Sequence, residues 1–191
     1  MLGKAQLGRL WLASRLVLAC VLAMVVVHLL NMASRGALLG YGILPRSPDH
    51  WYQVLTAPFV HGSTAHLANN LIGLSVFGVL VALRSTRLFL WGSLLIILFS
   101  GALVWLVGRE ASHVGASGWV FGLWSLCIAL GVFDRRPASI LLAGLVIVFY
   151  GGMIYGVLPG DPRVSFESHL AGAAAGVVTA YAYVRLRGRW R

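Results

Sequence analysis

Six apolar stretches constrain this chain more than any other feature of its sequence. Each is about 17 to 25 residues long, the length that an α-helix needs to cross the hydrocarbon core of a bilayer. They cover residues 12–32, 64–83, 88–107, 117–133, 138–157 and 167–184. With 59% hydrophobic and only 10% charged residues, the chain is too apolar for a water-soluble domain. The sequence therefore predicts an all-α polytopic membrane protein, a bundle of six transmembrane helices.

The basic residues lie between these stretches and at the ends of the chain. With an even number of spans both termini lie on one side; if that side is the cytoplasm, it receives eleven Lys and Arg residues and the other side four. This is the bias of the positive-inside rule, so the net charge of +10 is interpreted as a topology signal and not as a nucleic-acid surface. The predicted organisation is a cytoplasmic tail over residues 1–11, a six-helix domain over 12–184 and a basic cytoplasmic tail over 185–191.

The basic start and the apolar run after it also resemble a signal peptide. No convincing small-x-small cleavage site follows this run, and its removal would leave five spans with the termini on opposite sides. We expect the first span to be a retained helix.

A serine between small residues stands where a polar loop meets the fourth span. Ser117 follows Gly115 and Ala116 and precedes Gly118. As the first residue of a helix it would lie near unpaired backbone N–H groups and the positive end of the helix dipole, which favour developing negative charge. That environment suits a nucleophile. The alternative is a small residue that fills a helix crossing.

Polar side chains from three spans fall at one depth. At about 1.5 Å of rise per residue, Ser117, His169, Asn70 and His66 lie roughly 25, 24, 21 and 27 Å from the charges that anchor the inner ends of their helices. Polar groups inside a bilayer face a protein or water-filled interior and are functional candidates. The four residues therefore predict one site in the outer half of the membrane.

Glycines predict which helices touch at that site. Gly118 opens a Gly-x-x-x-Gly pattern beside Ser117, and Gly172 lies one turn after His169 on the same helix face. Surfaces of this kind let helix backbones approach closely. Packing the fourth span on the sixth would bring Ser117 within reach of His169.

This arrangement is the one that nucleophilic catalysis requires. A serine hydroxyl is a poor nucleophile until a base takes its proton, and His169 is the histidine whose face opposes Ser117. Because no carboxylate lies at a suitable position, the sequence predicts a dyad and not a triad. His66 and Asn70, one helical turn apart, would donate hydrogen bonds to an oxyanion together with the Ser117 N–H. The alternative for His169 is an interhelical hydrogen bond.

These motifs resemble the three signatures of the rhomboid intramembrane serine proteases. The matching sequences are GASG at 115–118, SHLAG at 168–172 and H-x4-H-x3-N at 61–70. The resemblance covers all six spans and implies a six-helix rhomboid core, with Ser117 as nucleophile and His169 as general base. It also implies an oxyanion hole formed by His66, Asn70 and the Ser117 amide.

The resemblance further implies supporting roles around the site. His61 matches a loop position and is expected to brace its loop, and Phe121 stands where many members have a tyrosine that packs on the catalytic histidine. Tyr52-Gln53 stands where the first outer loop usually has Trp-Arg. The other supporting residues are the signature glycines Gly115, Gly118 and Gly172.

Two segments are expected to move. Pro159 and Gly160 open the fifth connection, where the family has a mobile cap over the site, and Gly151-Gly152 is expected to loosen the fifth helix.

Three other histidines are given no role at the site. His113 and His50 are expected to be solvated loop residues, and His28 an interfacial one.

The predicted function is an intramembrane serine endopeptidase in a prokaryotic inner membrane, with transmembrane proteins as substrates and membrane lipid as surroundings. No cofactor, metal or nucleic acid is expected, and the oligomeric state stays open. One alternative is a catalytically silent rhomboid-like protein that binds membrane helices. A channel or transporter is disfavoured because the polar residues stop in the outer half of the membrane, and a metalloenzyme because no His-Glu-x-x-His motif occurs.

Overall fold

The computed structural model describes residues 3–186, which form six long helices, one single-turn helix and short 3-10 segments. The α-helices are α1 (Lys4–Ala33), α2 (Gln53–Thr56), α3 (Thr64–Arg84), α4 (Thr86–Val107), α5 (Ser117–Phe133), α6 (Pro137–Tyr150) and α7 (Phe166–Leu186). Serine N-caps mark two of the starts: Ser63 Oγ accepts from the His66 N–H at 3.1 Å, and Ser85 Oγ accepts from the Leu88 N–H at 3.2 Å. The predicted all-α membrane bundle is confirmed.

Four of the helices are long and apolar enough to cross a membrane: Gln6–Ala33, Thr64–Arg84, Thr86–Val107 and Pro137–Val157. Helix α5, at 17 residues, is shorter but also apolar. The observed bounds differ from the predicted ones mainly at α1, which begins at Lys4 inside the predicted 1–11 tail. Of the predicted basic tail at 185–191, the structure describes the first two residues, which end α7, and the rest lies outside the described residues.

Helix α5 is the centre of the bundle. It packs most extensively on α7 and also contacts α6, α3 and α4. Its side chains are buried on nearly every face, and Leu123 and Leu126 are fully enclosed. A helix that is apolar all round is stable only when other helices cover it. The residue that begins α5 is therefore fixed by the packing of the whole bundle.

Helix α1 lies at the periphery. It packs mainly on α3, while Leu22, Val26 and Leu29 are each more than half exposed. In a membrane protein such an apolar face contacts lipid. The site described below therefore rests on α3 to α7.

A buried carboxylate ties three helices together at the end of the bundle opposite Ser117. The Asp134 side chain accepts hydrogen bonds from Arg84 at 2.6 Å and from Ser139 at 2.8 Å, and Arg136 lies 3.5 Å away. Burial alone would raise the pKa of Asp134, but these hydrogen bonds and the two positive charges outweigh it and hold the pKa below 3.8. The ends of α3 and α5 and the start of α6 are thereby held in register.

The first connection, between α1 and α3, is held by Gln53. Its side chain accepts from the Leu44 N–H at 3.0 Å and donates to the Gly40 carbonyl at 2.9 Å, and it is only 1% exposed. Gln53 thus supplies hydrogen bonds to the loop at the position where the resembled family usually has arginine. Trp51, two residues earlier, is 67% exposed, as expected for an aromatic residue at a membrane interface.

The fifth long helix changes form before it ends. Helix α6 stops at Tyr150 and continues as a 3-10 segment over Gly151–Val157. The change occurs at Gly151-Gly152, where the sequence predicts a looser helix. The 3-10 segment brings the Gly156 carbonyl to the site.

Candidate active site

Ser117 is the first residue of α5, as predicted. Gly115, two residues earlier, has φ +108°, a conformation that L side chains rarely adopt. The Gly115 N–H donates to the Ala57 carbonyl at 2.9 Å. This turn puts the Ser117 backbone N–H among the first N–H groups of a helix, which have no partner within the helix.

The predicted glycine faces of α5 and α7 meet. A Cβ on Gly172 would clash with the carbonyl oxygen of Gly118, and a Cβ on Gly176 would clash with the carbonyl oxygen of Gly122. A Cβ on Gly118 would lie 3.0 Å from the carbonyl oxygen of Ser168. The two backbones are therefore in direct contact over two turns. This contact sets the starts of α5 and α7 side by side.

The ring of His169 is held from two directions. Its Nδ1 lies 2.8 Å from the carbonyl oxygen of Gly156, which can only accept, so Nδ1 carries the proton and Nε2 is the acceptor. The ring also stacks on Phe121, with centroids 4.1 Å apart and planes at 9°. A Cβ on Gly156 would come within 2.7 Å of Phe121 Cζ, so glycine is required there. The role of Gly156 could not be predicted from the sequence, because a backbone carbonyl has no residue signature.

Ser117 and His169 line one open cavity of about 1130 Å³. Ile72, Tyr150 and Met153 also line it, so the cavity reaches the space between α3 and the end of α6. Within residues 3–186 no hydrogen bond joins Ser117 Oγ to His169, so the two side chains share a cavity without a direct bond. The cavity offers room for an extended peptide segment.

His66 and Asn70 lie against the turn before Ser117. A Cβ on Gly115 would lie 2.5 Å from His66 Nε2 and 3.3 Å from Asn70 Nδ2. Asn70 is 4% exposed, and its Nδ2 has no hydrogen-bond partner in the described part of the chain. A buried amide donor without a partner is costly unless a ligand supplies an acceptor. Both predicted oxyanion side chains thus border the cavity that Ser117 lines.

His61 braces the same turn from behind. It is fully buried, its Nδ1 donates to the Phe59 carbonyl at 3.3 Å, and its Nε2 accepts from the Ala116 N–H at 3.5 Å. Its ring contacts that of His66, with centroids 5.1 Å apart. Burial, followed by the nearby His66 charge, lowers the pKa of His61 to about 4. His61 is therefore a neutral hydrogen-bond acceptor for the backbone beside Ser117.

His113, expected to be a solvated loop residue, is buried, so that expectation is wrong; His28, expected to be interfacial, is buried as well. His113 is 3% exposed and lies 2.6 Å from Ser165 Oγ. His28 is 6% exposed and lies 3.3 Å from Thr64 Oγ1. Their partners are distant in sequence, so no local pattern indicates burial. His50, by contrast, is only partly buried, as its loop position suggests.

The Rhomboid domain model matches residues 48–186. The chain belongs to the rhomboid family. Three relatives are 34 to 36% identical to this chain, and one of them bears a rhomboid-like name. An uncharacterized protein of Mycobacterium tuberculosis is 34% identical over 174 residues, 86% of this chain and 72% of the relative.

In two further relatives, the matched region covers a smaller share of the relative's own length. An uncharacterized protein of Mycobacterium leprae is 36% identical over 166 residues, 82% of this chain and 65% of the relative. The Rhomboid-like protein 11, chloroplastic, of Arabidopsis thaliana is 36% identical over 143 residues, 67% of this chain and 51% of the relative. The protein is thus a multi-pass membrane protein with a rhomboid domain and bacterial relatives.

Proposed function

We propose that this rhomboid protein is an intramembrane serine endopeptidase, which hydrolyses a peptide bond in or beside a transmembrane segment of another membrane protein. The observation that carries the proposal is the His169 ring, fixed by the Gly156 carbonyl and by Phe121 in the cavity that Ser117 also lines. The Gly156 bond leaves Nε2 free to accept a proton. A fixed, neutral imidazole in the same cavity as a helix-start serine is the pairing that acyl transfer needs.

The reaction divides hydrolysis into two steps. Ser117 Oγ attacks the peptide carbonyl carbon while His169 Nε2 takes the hydroxyl proton, and the resulting imidazolium returns it to the leaving amine. Water then gives a proton to His169 and attacks the acyl-enzyme; as the acyl–oxygen bond breaks, His169 returns that proton to Ser117 Oγ, which frees the carboxyl product and regenerates Ser117. The Gly156 carbonyl holds the ring orientation, a part that a carboxylate plays in a triad.

Negative charge on the carbonyl oxygen would be stabilised by donors around Gly115. Asn70 Nδ2 lacks a partner in the described chain, and His66 lies against the same turn. The Ser117 N–H at the start of α5 would add a third donor. Loss of one such preorganised donor costs about 3 kcal/mol of transition-state stabilisation.

Water must reach the site for the second step. The start of α3 supplies a polar entrance, because Ser63, His66 and Asn69 border the cavity. Asn69 is exposed, which suits a side chain that hydrates the entrance. We propose that bulk water enters from this end of the bundle.

The arginine distribution supports an orientation. Arg84 and Arg136 surround Asp134 at the end opposite Ser117, and the positive-inside rule assigns that end to the cytoplasm. We therefore propose that Ser117 lies near the extracytoplasmic face of a prokaryotic inner membrane. A carboxy-terminal fluorescent-protein fusion should fluoresce, and a carboxy-terminal alkaline-phosphatase fusion should stay inactive; the opposite pattern would reverse the orientation.

The missing hydrogen bond between Ser117 and His169 favours a second candidate, a catalytically silent rhomboid-like protein that binds membrane helices. In proteases without bound substrate this bond is often long and tightens in the complex. A fluorophosphonate probe separates the two candidates, because it reacts only with an activated serine. Labelling of wild type at Ser117 supports the protease, and no labelling of folded wild type supports the silent binder.

Cleavage itself is tested by comparing the membrane and medium proteomes of cells that express wild type or a variant. Ser117→Ala and His169→Ala should each abolish the release of ectodomains while the variants keep the wild-type melting temperature. Ser47→Ala and His50→Ala, which alter a serine–histidine pair outside the cavity, are matched controls and should leave the released set unchanged. Continued release by the Ser117→Ala protein would exclude this mechanism.

A further inference from the structure

The loops that precede α5 and α7 are joined by a side-chain pair, of which His113 is buried and Ser165 half-buried. His113 Nδ1 lies 2.6 Å from Ser165 Oγ. His113 is four residues before Ser117, and Ser165 is four residues before His169. The two loops that lead to the proposed catalytic residues are therefore bonded to each other. We call this pair the His113–Ser165 clamp.

The partners of His113 decide which atom donates. His113 Nε2 lies 3.1 Å from the Arg109 carbonyl oxygen, which can only accept. In the neutral ring Nε2 therefore carries the proton and Nδ1 is the acceptor, so the Ser165 hydroxyl donates to Nδ1. Each nitrogen of the buried ring is satisfied, which fixes its orientation.

Ser165 also begins the helix that carries His169. Its Oγ accepts from the Ser168 N–H at 3.2 Å, which is the N-cap bond of α7. Its carbonyl oxygen accepts from the His169 N–H at 3.3 Å. One hydroxyl thus donates to His113 and caps the first turn of α7. Displacement of Ser165 would shift the turn that holds His169.

The His113 side of the clamp is anchored in the fold. The backbone of His113 pairs with Ile43 through two hydrogen bonds of 2.9 and 3.0 Å. A Cβ on Gly108 would approach His113 Nε2 to 3.2 Å, so the ring is closely surrounded. This side of the clamp is fixed to both the first connection and the end of α4.

The loop before α7 relies on such contacts because it is largely exposed from residue 158 to 164. Arg109 gives it a second tie: its NH2 group donates to the carbonyls of Pro162 at 2.9 Å and Val164 at 2.8 Å. Arg109 also pairs with Glu167 at 3.5 Å. These ties are nearer the surface than the clamp.

We propose that His113 is a positioning residue, which acts through Ser165 to hold His169 in line with Ser117. This inference rests on the proposed function, since it assigns His113 a part in the same reaction. The α5–α7 glycine contact sets the distance between the helices, and the clamp sets the first turn of α7. Misplacement of a catalytic group by about 1 Å can cost 100-fold in rate.

The test measures how fast an alkyl fluorophosphonate labels Ser117 in the full-length protein in detergent micelles, with Ser117→Ala as the blank. His113→Phe keeps a ring of similar size but has no acceptor for Ser165. We expect its maximal labelling rate to fall roughly 10- to 100-fold, with the probe concentration for half-maximal rate unchanged. His113→Asn, whose Oδ1 can accept from Ser165, should recover most of the rate.

The matched control is the other His–Ser pair of the loops. His50 Nδ1 lies 2.8 Å from Ser47 Oγ, away from the cavity, so His50→Phe should label at the wild-type rate. Because Ser165→Ala breaks the same bond, its effect and that of His113→Phe should be less than additive in the double variant. Should His113→Phe unfold, the labelling rates of His113→Asn and Ser165→Ala test the inference instead: the first should stay near the wild-type rate and the second should fall.

Three results would overturn the inference. The first is an unchanged labelling rate in folded His113→Phe. The second is a labelling rate that falls only in proportion to the unfolded fraction of that variant. The third is a loss of labelling rate in the double variant that equals the sum of the two single losses. Wild type that folds but is never labelled at Ser117 would instead reject the proposed function, and the inference with it. The two failures are therefore distinguishable.

Discussion

At the scale of single residues, Phe121 is the side chain that fixes the plane of His169. The rings stack with centroids 4.1 Å apart, and stacked aromatic pairs contribute about 0.5–1.5 kcal/mol beyond their buried area. Phe121→Leu should therefore slow fluorophosphonate labelling of Ser117 by about 3- to 10-fold. Phe121→Tyr keeps the aromatic ring that stacks on His169 and should label at close to the wild-type rate. Equal labelling rates for Phe121→Leu and wild type would show that stacking does not orient His169.

His61 predicts a pH dependence of stability. Its folded pKa is about 4 against 6.5 for a free histidine, so between these values the unfolded chain binds a proton that the folded chain excludes. The free energy of unfolding should therefore fall as pH drops from 6.5 towards 4, by roughly 1 to 3 kcal/mol. Melting temperatures in detergent from pH 7 to 4 measure the effect.

The control for His61 is a variant that does not titrate. His61→Gln can still accept from the Ala116 N–H but carries no ionisable group. Its melting temperature should change less between pH 7 and 4 than that of wild type. All other histidines are unchanged in this variant, so the difference between the two curves reports the contribution of His61. Parallel curves would contradict the assignment.

The sequence predicts site residues well when their partners are local or follow a helix period. His66 and Asn70 share a face because they are one turn apart, and the structure puts both at Gly115. His113 is different, because its partner Ser165 lies 52 residues away along the chain and neither residue lies in a stretch of periodically spaced apolar residues. Burial of such a loop residue depends on how the loops dock. That docking is a property of the tertiary structure.

At the scale of helices, the α5–α7 contact leaves no room for a side chain. A Cβ on Gly172 would collide with the backbone of Gly118, which cannot move without separating the helices. Gly172→Ala should therefore lower the melting temperature and abolish labelling of Ser117. Gly144→Ala in α6 is the matched control, since a Cβ there meets nothing within 4 Å, and it should be neutral or slightly stabilising. A fully stable and active Gly172→Ala protein would refute this packing.

Helix bounds follow from the sequence wherever apolar runs end at polar residues. Helices α3 and α5 begin at the predicted residues, and α4 and α7 begin within two residues of them. The start of α1 is missed because Lys4 and Arg9 indicate a tail, although charged residues continue a helix readily in water. The turn α2 is missed because a single turn is held by tertiary bonds, here those of Gln53.

At the scale of the molecule, the two ends of the bundle have different chemistry. One end is fastened by Arg84 and Asp134, whose carboxylate is fully buried. The other end opens into the cavity, where Phe77 of α3 and Tyr150 of α6 meet edge to face with centroids 5.1 Å apart. We expect motion to be easiest at the open end, where α6 has already changed to a 3-10 segment. We propose that a membrane-helix substrate enters there, between α3 and α6.

Lateral entry predicts that a short link across this opening blocks large substrates but not small probes. Ile72 of α3 and Met153 after α6 both line the cavity, so cysteines at these positions can be joined by thiol cross-linkers in a protein with Cys20 and Cys127 replaced by Ala. A short linker should abolish cleavage of a transmembrane substrate, whereas a fluorophosphonate should still label Ser117. A linker long enough to let a helix pass should restore cleavage and serves as the control. Unchanged cleavage with the short linker would mean that substrates reach Ser117 from the aqueous end, since the opening between α3 and α6 would then be closed during turnover.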